Sequence, residues 1–579
     1  MVYYKHKIIM RKGKRKMKQR MTKEQIEKKK KRIIKIFITI ISIIIIGIIA
    51  YNINNYIILD KNKNINLVIN NKNVTSNLKK EIIIEDDNVY LSKQDLGNFF
   101  DKYIYEDTEN DNIVTTYNNK IASISLEKNQ ININGSNKNI YAHAENRDGT
   151  IYIPIKELED IYGIEIKYIE NTKVLTIDSI SKEQKKAIIT KNVAVKSSTK
   201  FIAKTIDRVK KGSYVIVISE DNGYAKIRTE NGKVGFVKSN KIANTVIVRE
   251  EIQEQKQIDG KVNLVWDYYS EVASAPDRTG VTMDGVNVVS PAFFHLNSKG
   301  NLTENIGQEG KKYIEWAHNN GYKVWPMVQN AGSGMTSVTS EIMNDYNKRQ
   351  ELINEIVSAC VKYKLDGINL DFENMKQEDK DMYSRFIIEL TPRLKDMGVV
   401  ISVDVTAPDG SETWSMCFDR HVIGDVADYI VFMAYDQYGA SSNKSGTTAG
   451  YNWVELSLNK FLKTEEIENS KIILAIPLYA RLWTEDSSGK VVKQSTVPLK
   501  NMNSIIPERA NKQWNDDLKQ YYVEYKDNSY TKKIWIEDEK SLKEKISLIT
   551  NNNLGGVASW EKGMETDNFW EFLKQEISK

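Results

Sequence analysis

Apolar and polar residues alternate through residues 365–374, and this alternation predicts a β-strand. The apolar positions hold residues that favour strands: Leu365, Ile368, Leu370 and Phe372. The polar residues Asn369, Asp371 and Glu373 share one face of that strand. Core packing does not explain an amide and two carboxylates on one buried face, because unpaired buried charges are costly. The pattern indicates a site that binds or reacts; the alternative is a surface strand with a solvated acidic face.

Predicted strands alternate with helical stretches from residue 262 onward, which is typical of a parallel barrel. We therefore predict an α/β fold, a (β/α)8 TIM barrel over residues 262–579. Its strands are predicted at residues 263–269, 286–296, 323–330, 365–374, 399–407, 429–436, 471–483 and 555–560. The active site of such a barrel lies at the carboxyl ends of its strands, and Glu373 ends the fourth.

Residues 65–180 are predicted to form short strands with a helix, and they contain a repeat. The segment Val89-Tyr90-Leu91-Ser92, followed by Leu96, recurs 62 residues later as Ile151-Tyr152-Ile153-Pro154, followed by Leu158. Such duplication indicates stacked similar units. We therefore predict an α+β domain in this region.

Residues 186–248 alternate between short strands and glycine turns at Gly212, Gly223 and Gly232. Short strands at regular spacing predict a small all-β barrel. Residues 249–260 are mostly charged or polar and form a solvated linker to the TIM barrel. Wall contact and a simple spacer both remain open for this barrel.

The first 51 residues differ from the rest of the chain in composition. Residues 1–32 carry fifteen Lys or Arg and two Glu, whereas the net charge of the whole chain is only +6. Residues 33–51 are almost wholly apolar and long enough to cross a bilayer. A basic segment before an apolar span predicts a cytoplasmic N-terminus. We predict a basic cytoplasmic tail at 1–32, a transmembrane signal anchor at 33–51 and an extracellular remainder; a cleaved signal peptide is the alternative.

Few residues suit a metal or a disulfide. The chain has two cysteines, Cys360 and Cys417, which the predicted barrel places far apart, and its five histidines show no ligand spacing. We therefore predict no metal, no cofactor and no disulfide framework. Low cysteine content suits an exported bacterial envelope protein with a core of ordinary size. The apolar span after the basic tail argues against a nucleic-acid partner.

The segment Asp366-Gly367-Ile368-Asn369-Leu370-Asp371-Phe372-Glu373 closely resembles the catalytic signature of glycoside hydrolase family 18, the chitinase-like enzymes. The family pattern is Asp-Gly-x-Asp-x-Asp-x-Glu on barrel strand four. One position departs, since Asn369 stands where most chitinases have aspartate. Carboxylates two residues apart are close enough for one to raise the pKa of the other, which leaves an acid beside a charge stabiliser.

Three other predicted strands carry motifs similar to those of the same family. Met433-Ala434-Tyr435-Asp436 resembles Met-x-Tyr-Asp on strand six. Pro477-Leu478-Tyr479-Ala480-Arg481-Leu482-Trp483 resembles Pro-x-Tyr-Gly-Arg-x-Trp on strand seven, with alanine replacing glycine. Trp560 matches the family tryptophan at the end of strand eight.

The resemblance implies a role for each of these residues. Tyr435 and Asp436 would hold the acetamido group of the substrate. Tyr479 and Arg481 would contact sugar, and the Trp560 ring would form the floor of the subsite beside the scissile bond. The predicted site consists of catalytic Glu373, Asp371 and Tyr435 and substrate-binding Asn369, Met433, Asp436, Tyr479, Arg481 and Trp560.

The mechanism implied by the resemblance is substrate-assisted and retaining. Glu373 would protonate the leaving oxygen while the acetamido oxygen of the substrate attacks the anomeric carbon. Asp371 would stabilise the oxazolinium intermediate, and Glu373 would then activate water. An amide at position 369 can donate a hydrogen bond to Asp371, which would help to keep Asp371 ionised.

Two further resemblances concern the N-terminal half. Residues 65–180 resemble the copper amine oxidase N-terminal-like domain, although the sequence has no histidine cluster for copper. This resemblance implies a stalk domain or a wall-contact module. The segments Gly223-Tyr224-Ala225-Lys226-Ile227 and Gly232-Lys233-Val234-Gly235-Phe236-Val237 resemble the bacterial Src-homology-3-type domain, predicted here at 186–248.

Together these features predict a membrane-anchored extracellular enzyme that cleaves β-1,4 bonds of N-acetylglucosamine-containing glycans. Residues 366–374 and 402–410 look most like spore-germination and cortex-fragment-lytic N-acetylglucosaminidases. The expected partners are an N-acetylated wall glycan, the cytoplasmic membrane through residues 33–51 and the wall through residues 65–248. Peptidoglycan, cortex fragments and chitin remain open as substrates. A non-catalytic lectin and a structural envelope or germination protein remain alternatives, although such lectins typically lack the glutamate equivalent to Glu373.

Overall fold

The computed structural model describes residues 23–54, 65–251 and 258–579, and for residues 23–26 and 44–54 it describes the backbone alone. The chain divides into two compact units. Among the described residues, the first contains residues 23–54, 65–81 and 163–251, and the second contains residues 82–162 and 258–579. The region predicted as one stalk domain, residues 65–180, is thus shared between the two units.

The first unit contains the long helix Lys23–Asn54, which includes the segment predicted to span a membrane. Within the described residues, no helix combines the length and the apolar character that crossing a membrane requires. The transmembrane helix predicted at residues 33–51 is therefore not confirmed. Residues 1–22, most of the predicted basic tail, lie outside the described residues.

The rest of the first unit consists of two sheets. One is four-stranded, with strands Asn66–Ile69, Lys72–Asn73, Ile164–Ile169 and Val174–Ser179. The other is seven-stranded, with strands Gln184–Ile189, Val193–Lys196, Thr205–Val209, Tyr214–Asp221, Tyr224–Arg228, Val234–Lys238 and Ile242–Arg249. The second sheet encloses its own apolar core, which includes Ile189, Val195 and Ile227. An all-β domain before the barrel is thus present, whereas its Src-homology-3-type assignment is not confirmed.

The second unit begins with the internal repeat. Its two copies pair as antiparallel strands, with Leu91 opposite Ile153 and Ser92 opposite Tyr152. The strands of this four-stranded sheet are Ile83–Glu85, Asn88–Ser92, Glu145–Arg147 and Thr150–Pro154, and the accompanying helices are Lys93–Phe99 and Glu159–Tyr162. A five-stranded meander lies between the copies, at Tyr105–Asp107, Asn112–Tyr117, Lys120–Ser125, Gln130–Ile133 and Ser136–Asn139.

The meander region packs on the outside of the barrel. The Asn134 side chain donates to Asp396 Oδ2 at 3.0 Å, and the Tyr103 hydroxyl donates to Asp425 Oδ2 at 2.9 Å. The guanidinium of Arg385 lies over the ring of Tyr105. Residues 82–162 are therefore held to the barrel by side-chain contacts, although residues 163–252 separate the two segments in sequence.

Eight parallel strands close into a barrel, which confirms the predicted fold. Strand one pairs with strand eight, Val262 opposite Gly556, and strands two and three are each interrupted once. The strands are Val262–Asp267, Val288–Pro291 with Phe294–Leu296, Lys323–Val324 with Met327–Gln329, Gly367–Asp371, Val400–Val405, Tyr429–Met433, Ile472–Pro477 and Gly556–Trp560. A short strand, Leu302–Glu304, pairs antiparallel with the second half of strand two.

Helices surround the barrel and cover its strands. They are Gly307–Asn319, Met335–Asn344, Tyr346–Tyr363, Lys380–Asp396, Arg420–Val426, Tyr451–Lys463, Glu539–Asn551 and Phe569–Ile577. The largest apolar core of the described residues lies between these helices and the strands. A buried ion-pair group links two of these helices, where Glu389 contacts Arg349 of the neighbouring helix and Arg385 of its own. Cys360 and Cys417 are both free and buried, so neither forms a disulfide.

The predicted seventh strand, residues 471–483, is wrong in its second half. The barrel strand ends at Pro477, and Tyr479–Glu485 instead pairs antiparallel in a separate five-stranded sheet. The remaining strands of this inserted sheet are Val491–Pro498, Lys512–Asn515, Gln520–Asp527 and Tyr530–Ile536. The inserted sheet has an apolar core of its own, around Ala480, Val523 and Ile534.

Candidate active site

Strand four carries the predicted polar face into the interior of the barrel. Ile368, Leu370 and Phe372 are fully buried, and so is Asn369 between them. Packing against Trp325 requires glycine at position 367, because a Cβ atom on Gly367 would lie 2.3 Å from the Trp325 ring. The strand itself ends at Asp371, so Glu373 lies just beyond it, in the first residues of the loop.

The backbone of Glu373 is held by a side chain from strand three. The Glu373 N–H donates to Asn330 Oδ1 at 2.8 Å, and Asn330 Nδ2 donates to the Glu373 carbonyl at 2.9 Å. The preceding residue, Gln329, donates from Nε2 to Asp371 Oδ2 at 2.8 Å. Neither Gln329 nor Asn330 was among the predicted site residues, although two consecutive amides at the end of a predicted barrel strand were a usable signal.

The two carboxyl groups on this strand influence each other. Burial raises the pKa of Glu373 well above its usual range, and the charges of Asp371 and Asp436 raise it further. Burial also raises the pKa of Asp371, which hydrogen bonds from Gln329 and Glu373 oppose. Glu373 therefore holds its proton at pH values where a free glutamate has lost it, and it shares that proton with Asp371. This pair can act as a general acid beside a charge stabiliser.

Asn369 does not make the predicted contact with Asp371. Its Nδ2 donates to Asp404 Oδ1 at 2.7 Å and to Ser402 Oγ at 3.0 Å, and its Oδ1 accepts from Trp266 Nε1 at 2.8 Å. The side chain is fully buried and absent from the residues that line the cleft. Asn369 therefore links strands one, four and five, and it is not placed to bind substrate directly.

The predicted residues of strands six and seven come together. Arg481 Nη2 donates to both carboxylate oxygens of Asp436, at 2.7 and 2.9 Å, and the Tyr479 hydroxyl donates to Asp436 Oδ1 at 2.6 Å. Asp436 follows the barrel strand with a φ of +56°, whereas Tyr479 and Arg481 belong to the inserted sheet. This cluster forms a wall of the cleft, and Met433 lines the cleft beside it.

Aromatic rings gather at the carboxyl end of strand eight. The Trp560 ring centre lies 5.6 Å from that of Trp266, 5.8 Å from that of Tyr268 and 6.4 Å from that of Tyr435. The peptide bond between Trp560 and Glu561 is cis. Apolar ring faces of this kind suit the apolar faces of a sugar.

These groups enclose a cleft of about 530 Å³ at the carboxyl ends of the strands. Eight of the nine predicted site residues line it, all except Asn369. Sequence reasoning missed further lining residues: Trp266, Tyr268, Gln329, Asn330, Asp404 and Trp414. Asp404 had a readable signal, because Ser402 and Asp404 interrupt an otherwise apolar strand two residues apart.

Comparison with known families agrees with this arrangement. The model of the family "Glycosyl hydrolases family 18" matches residues 265–565, which is more than half of the chain. The model "Copper amine oxidase N-terminal domain" matches residues 52–177.

Similar proteins are found among bacterial glycosylases. The "Uncharacterized glycosylase YvbX" of Bacillus subtilis (strain 168) is 26% identical over 299 residues, which cover 50% of this chain and 84% of that protein. The "Cortical fragment-lytic enzyme" of the same organism is 25% identical over 243 residues, which cover 41% of this chain and 56% of that protein. Among solved structures, a chitinase from Chromobacterium violaceum ATCC 12472 covers 55% of this chain and 100% of its own, at 22% identity and a TM-score of 0.49. On the family match, this chain belongs to glycosyl hydrolase family 18 and is a glycoside hydrolase.

Proposed function

We propose that the barrel hydrolyses β-1,4 bonds of glycans that contain N-acetylglucosamine, by substrate-assisted catalysis with retention. The observation that carries this proposal is the Glu373–Asp371 pair at the end of strand four, beside the Trp560 ring in the cleft. A glutamate that keeps its proton is a general acid, and an aspartate hydrogen-bonded to it can stabilise a developing positive charge.

The first step is cleavage of the glycosidic bond. Glu373 transfers its proton to the leaving oxygen while the acetamido oxygen of the substrate attacks the anomeric carbon, which forms an oxazolinium ion. Asp371 lies next to Glu373 and provides the negative charge that faces this cation. The Asn330 bonds to both backbone polar groups of Glu373 fix the direction of the proton transfer.

The second step is hydrolysis of the oxazolinium. Glu373, now ionised, accepts a proton from water, which attacks the anomeric carbon on the face that the leaving group left. Because two displacements occur at the same carbon, the product keeps the β configuration.

Other cleft residues hold the sugar during both steps. Tyr435, Asp436 and Tyr479 present polar atoms at one side of the cleft, and we assign to Tyr435 and Asp436 the binding of the acetamido group. Arg481 fixes Asp436 through two hydrogen bonds, which gives that carboxylate one orientation. Trp560 supplies the platform for the ring of the sugar that is attacked.

A wall glycan is the substrate class that we favour. The name of one relative, the cortical fragment-lytic enzyme, supports a peptidoglycan-derived substrate for this chain as well. We further propose that the protein is held at the cell membrane through residues 33–51 with its barrel outside, and that residues 65–248 contact the wall. This part of the proposal rests on the basic tail before an apolar segment in the sequence. Fractionation of cells tests it: recovery of the full-length protein from the soluble cytoplasm would contradict it.

Hydrolysis of defined oligosaccharides tests the proposed reaction. The full-length protein should be used, because residues 82–162 pack on the barrel. We expect cleavage of an N-acetylglucosamine oligomer with a β-anomer as the first product, observed by NMR. The fully deacetylated oligomer should not be cleaved, because it lacks the nucleophile. Efficient cleavage of the deacetylated oligomer, or an α-anomer as first product, would refute the substrate-assisted mechanism. Parallel assays on intact sacculi, muropeptides and chitin oligomers then rank the substrates.

A further inference from the structure

The hairpin of residues 193–209, in the seven-stranded sheet, ends in two neighbouring apolar residues that the domain leaves in water. Phe201 is 104% exposed and Ile202 is 88% exposed, so neither side chain packs against the sheet. The base of the hairpin is fixed, because Val195 is buried in the apolar core of the sheet and Ile206 packs against that core. Turns favour Gly, Pro, Asn, Asp or Ser, so the fold does not explain an aromatic and a branched aliphatic residue at this tip.

Backbone hydrogen bonds give the tip its shape. The Ala203 N–H donates to the Lys200 carbonyl at 3.1 Å, which closes a β-turn with Phe201 and Ile202 at its two central positions. A second backbone bond closes the loop one step further back. Neither bond involves the side chain of Phe201 or Ile202. The turn therefore presents these two side chains together, and substitutions there leave its hydrogen bonds in place.

The tip is basic as well as apolar. Residues 196–206 contain three lysines and no acidic residue, and two of the lysines, Lys200 and Lys204, flank the apolar pair and are exposed. The acidic residue that follows, Asp207, accepts a hydrogen bond from the Thr229 hydroxyl at 2.7 Å, so its carboxylate faces a neighbouring turn. Positive charge thus surrounds the exposed apolar pair.

A bilayer that contains anionic lipids matches both properties of the tip. Its interface offers phosphate groups at the surface and apolar acyl chains about 5–10 Å below them. Lysine side chains can keep their ammonium groups at the level of the phosphates while their alkyl stems lie in the apolar layer. A polyanionic wall polymer would pair with the lysines but would leave the apolar pair in water. A flat sugar face suits Phe201 but not the branched Ile202.

The chain itself keeps this hairpin near a bilayer in the proposed anchored protein. The helix that includes residues 33–51 ends at Asn54, and the strand that begins at Asn66 belongs to the same compact unit as the hairpin. The chain between Asn54 and Asn66 can extend over at most about 40 Å. This support rests on the proposed anchor, whereas the exposure and the charge of the tip do not.

We propose that residues 200–204 insert into the interfacial layer of a bilayer that contains anionic lipids. Phe201 and Ile202 enter the boundary of the acyl chains, and Lys200 and Lys204 contact the lipid phosphates. Two apolar side chains give a shallow and reversible contact. The hairpin is then a second attachment to the membrane, which orients its domain on the lipid surface.

A fluorescent label beside the tip tests the insertion in the full-length protein. Thr199→Cys places an environment-sensitive dye next to the intact apolar pair, and the native cysteines, Cys360 and Cys417, are buried. The protein is mixed with phosphatidylcholine vesicles that contain or lack phosphatidylglycerol. We expect a blue-shifted emission that brominated lipids quench, mainly in the vesicles with phosphatidylglycerol. The same dye at Glu220→Cys, on an exposed part of the same sheet, should stay in water.

Two matched pairs of lysine substitutions test the role of charge at the tip. Lys200→Gln with Lys204→Gln should lower the ratio of inserted to water-exposed label roughly 25-fold, about fivefold for each lysine. Lys210→Gln with Lys211→Gln removes the same charge at the opposite end of the hairpin, beyond the last strand pair, and should leave the ratio nearly unchanged. An equal loss in the two double variants would indicate general attraction to the vesicle and would overturn the proposal.

Replacement of the apolar pair tests the insertion itself. Phe201→Ser with Ile202→Ser should lower the same ratio at least about tenfold, because the apolar surface that leaves water is lost. Three results would overturn the proposal. They are a label that stays in water with every vesicle, a label that shifts without vesicles as protein concentration rises, and a label that shifts only with purified sacculi. The second result would show self-association, and the third would show wall contact.

The same experiments separate this inference from the proposed function. Recovery of the protein with vesicles and no shift of the label would support the anchor at residues 33–51 and refute insertion of the tip. Recovery that requires an intact tip would support insertion and refute the anchor. Cleavage of a soluble N-acetylglucosamine oligomer should be the same in the wild type and in all these variants, because the hairpin lies outside the cleft.

Discussion

Replacement of Glu373 by glutamine should inactivate the enzyme and also stabilise it. The glutamine side chain has the same shape, but it has no proton to transfer to the leaving oxygen. General acid catalysis contributes roughly 100- to 10,000-fold, so we expect kcat to fall within that range. The amide can still donate a hydrogen bond to Asp371, so the cleft keeps its geometry and its affinity for sugar.

The gain in stability follows from the raised pKa of Glu373. Burial, then the charges of Asp371 and Asp436, make the ionised glutamate unfavourable in the folded protein. The folded state therefore binds this proton more tightly than the unfolded state, and stability decreases as pH rises from about 4.3 through the folded pKa. Glutamine removes this loss. At neutral pH the unfolding free energy should increase by about 1.4 kcal/mol for each unit by which folding raises the Glu373 pKa, counted only up to the pH of the measurement.

Tryptophan fluorescence can measure this effect in the barrel with its inserted sheet, because all ten tryptophans lie between Trp266 and Trp570. Urea unfolding of the wild type and of Glu373→Gln should give similar midpoints at about pH 4 and a higher midpoint for the variant at about pH 8. Glu351→Gln is the matched control, since Glu351 lies exposed on an outer helix. If Glu373→Gln is no more stable than the wild type at pH 8, folding does not raise the pKa of Glu373.

Three further predictions concern other contacts. Arg481→Lys keeps the positive charge but loses the contact with both carboxylate oxygens of Asp436, so KM should rise about tenfold with a smaller change in kcat. An unchanged KM would show that this contact does not order the cleft. Asn369→Asp places a carboxyl against Asp404 and should add a titration to the pH profile of kcat; superimposable profiles would show that position 369 does not communicate with the reaction centre. Glu389→Leu leaves Arg349 and Arg385 buried without their carboxylate and should lower the unfolding free energy by about 3–5 kcal/mol. A loss below about 1 kcal/mol would show that these arginines are not buried as the structure describes.

The sequence identifies the barrel and most of the cleft because the strands have a strong pattern. Each barrel strand is an apolar run, and the polar residues that interrupt these runs, such as Asp371, point to a site that packing cannot explain. The same argument applies to Asp404, which interrupts strand five in the same way. The family resemblance assigns no role to this position, so the motifs alone leave Asp404 out of the predicted site.

Other features depend on contacts that a sequence does not specify. Residues 472–480 form one continuous apolar run, and nothing in it marks the point after Pro477 where the hydrogen bonds change from the barrel to the inserted sheet. The partner of Asn369 also depends on the register between strands four and five, which brings Asp404 closer to its amide than Asp371. Register is set by the closed barrel as a whole, so a single strand cannot reveal it.

The inserted sheet gives one part of the cleft wall a packing that is separate from the reacting carboxyls. The carboxyls at the base of the cleft belong to the barrel strands and the loop after strand four, whereas Tyr479 and Arg481 come from a sheet with a separate apolar core. Sequence changes in that sheet can alter the shape of the cleft wall without disturbing the packing around Asp371. Grafting the residue 479–536 segment of a related enzyme onto this barrel is therefore a route to a new glycan preference with the same bond-breaking chemistry.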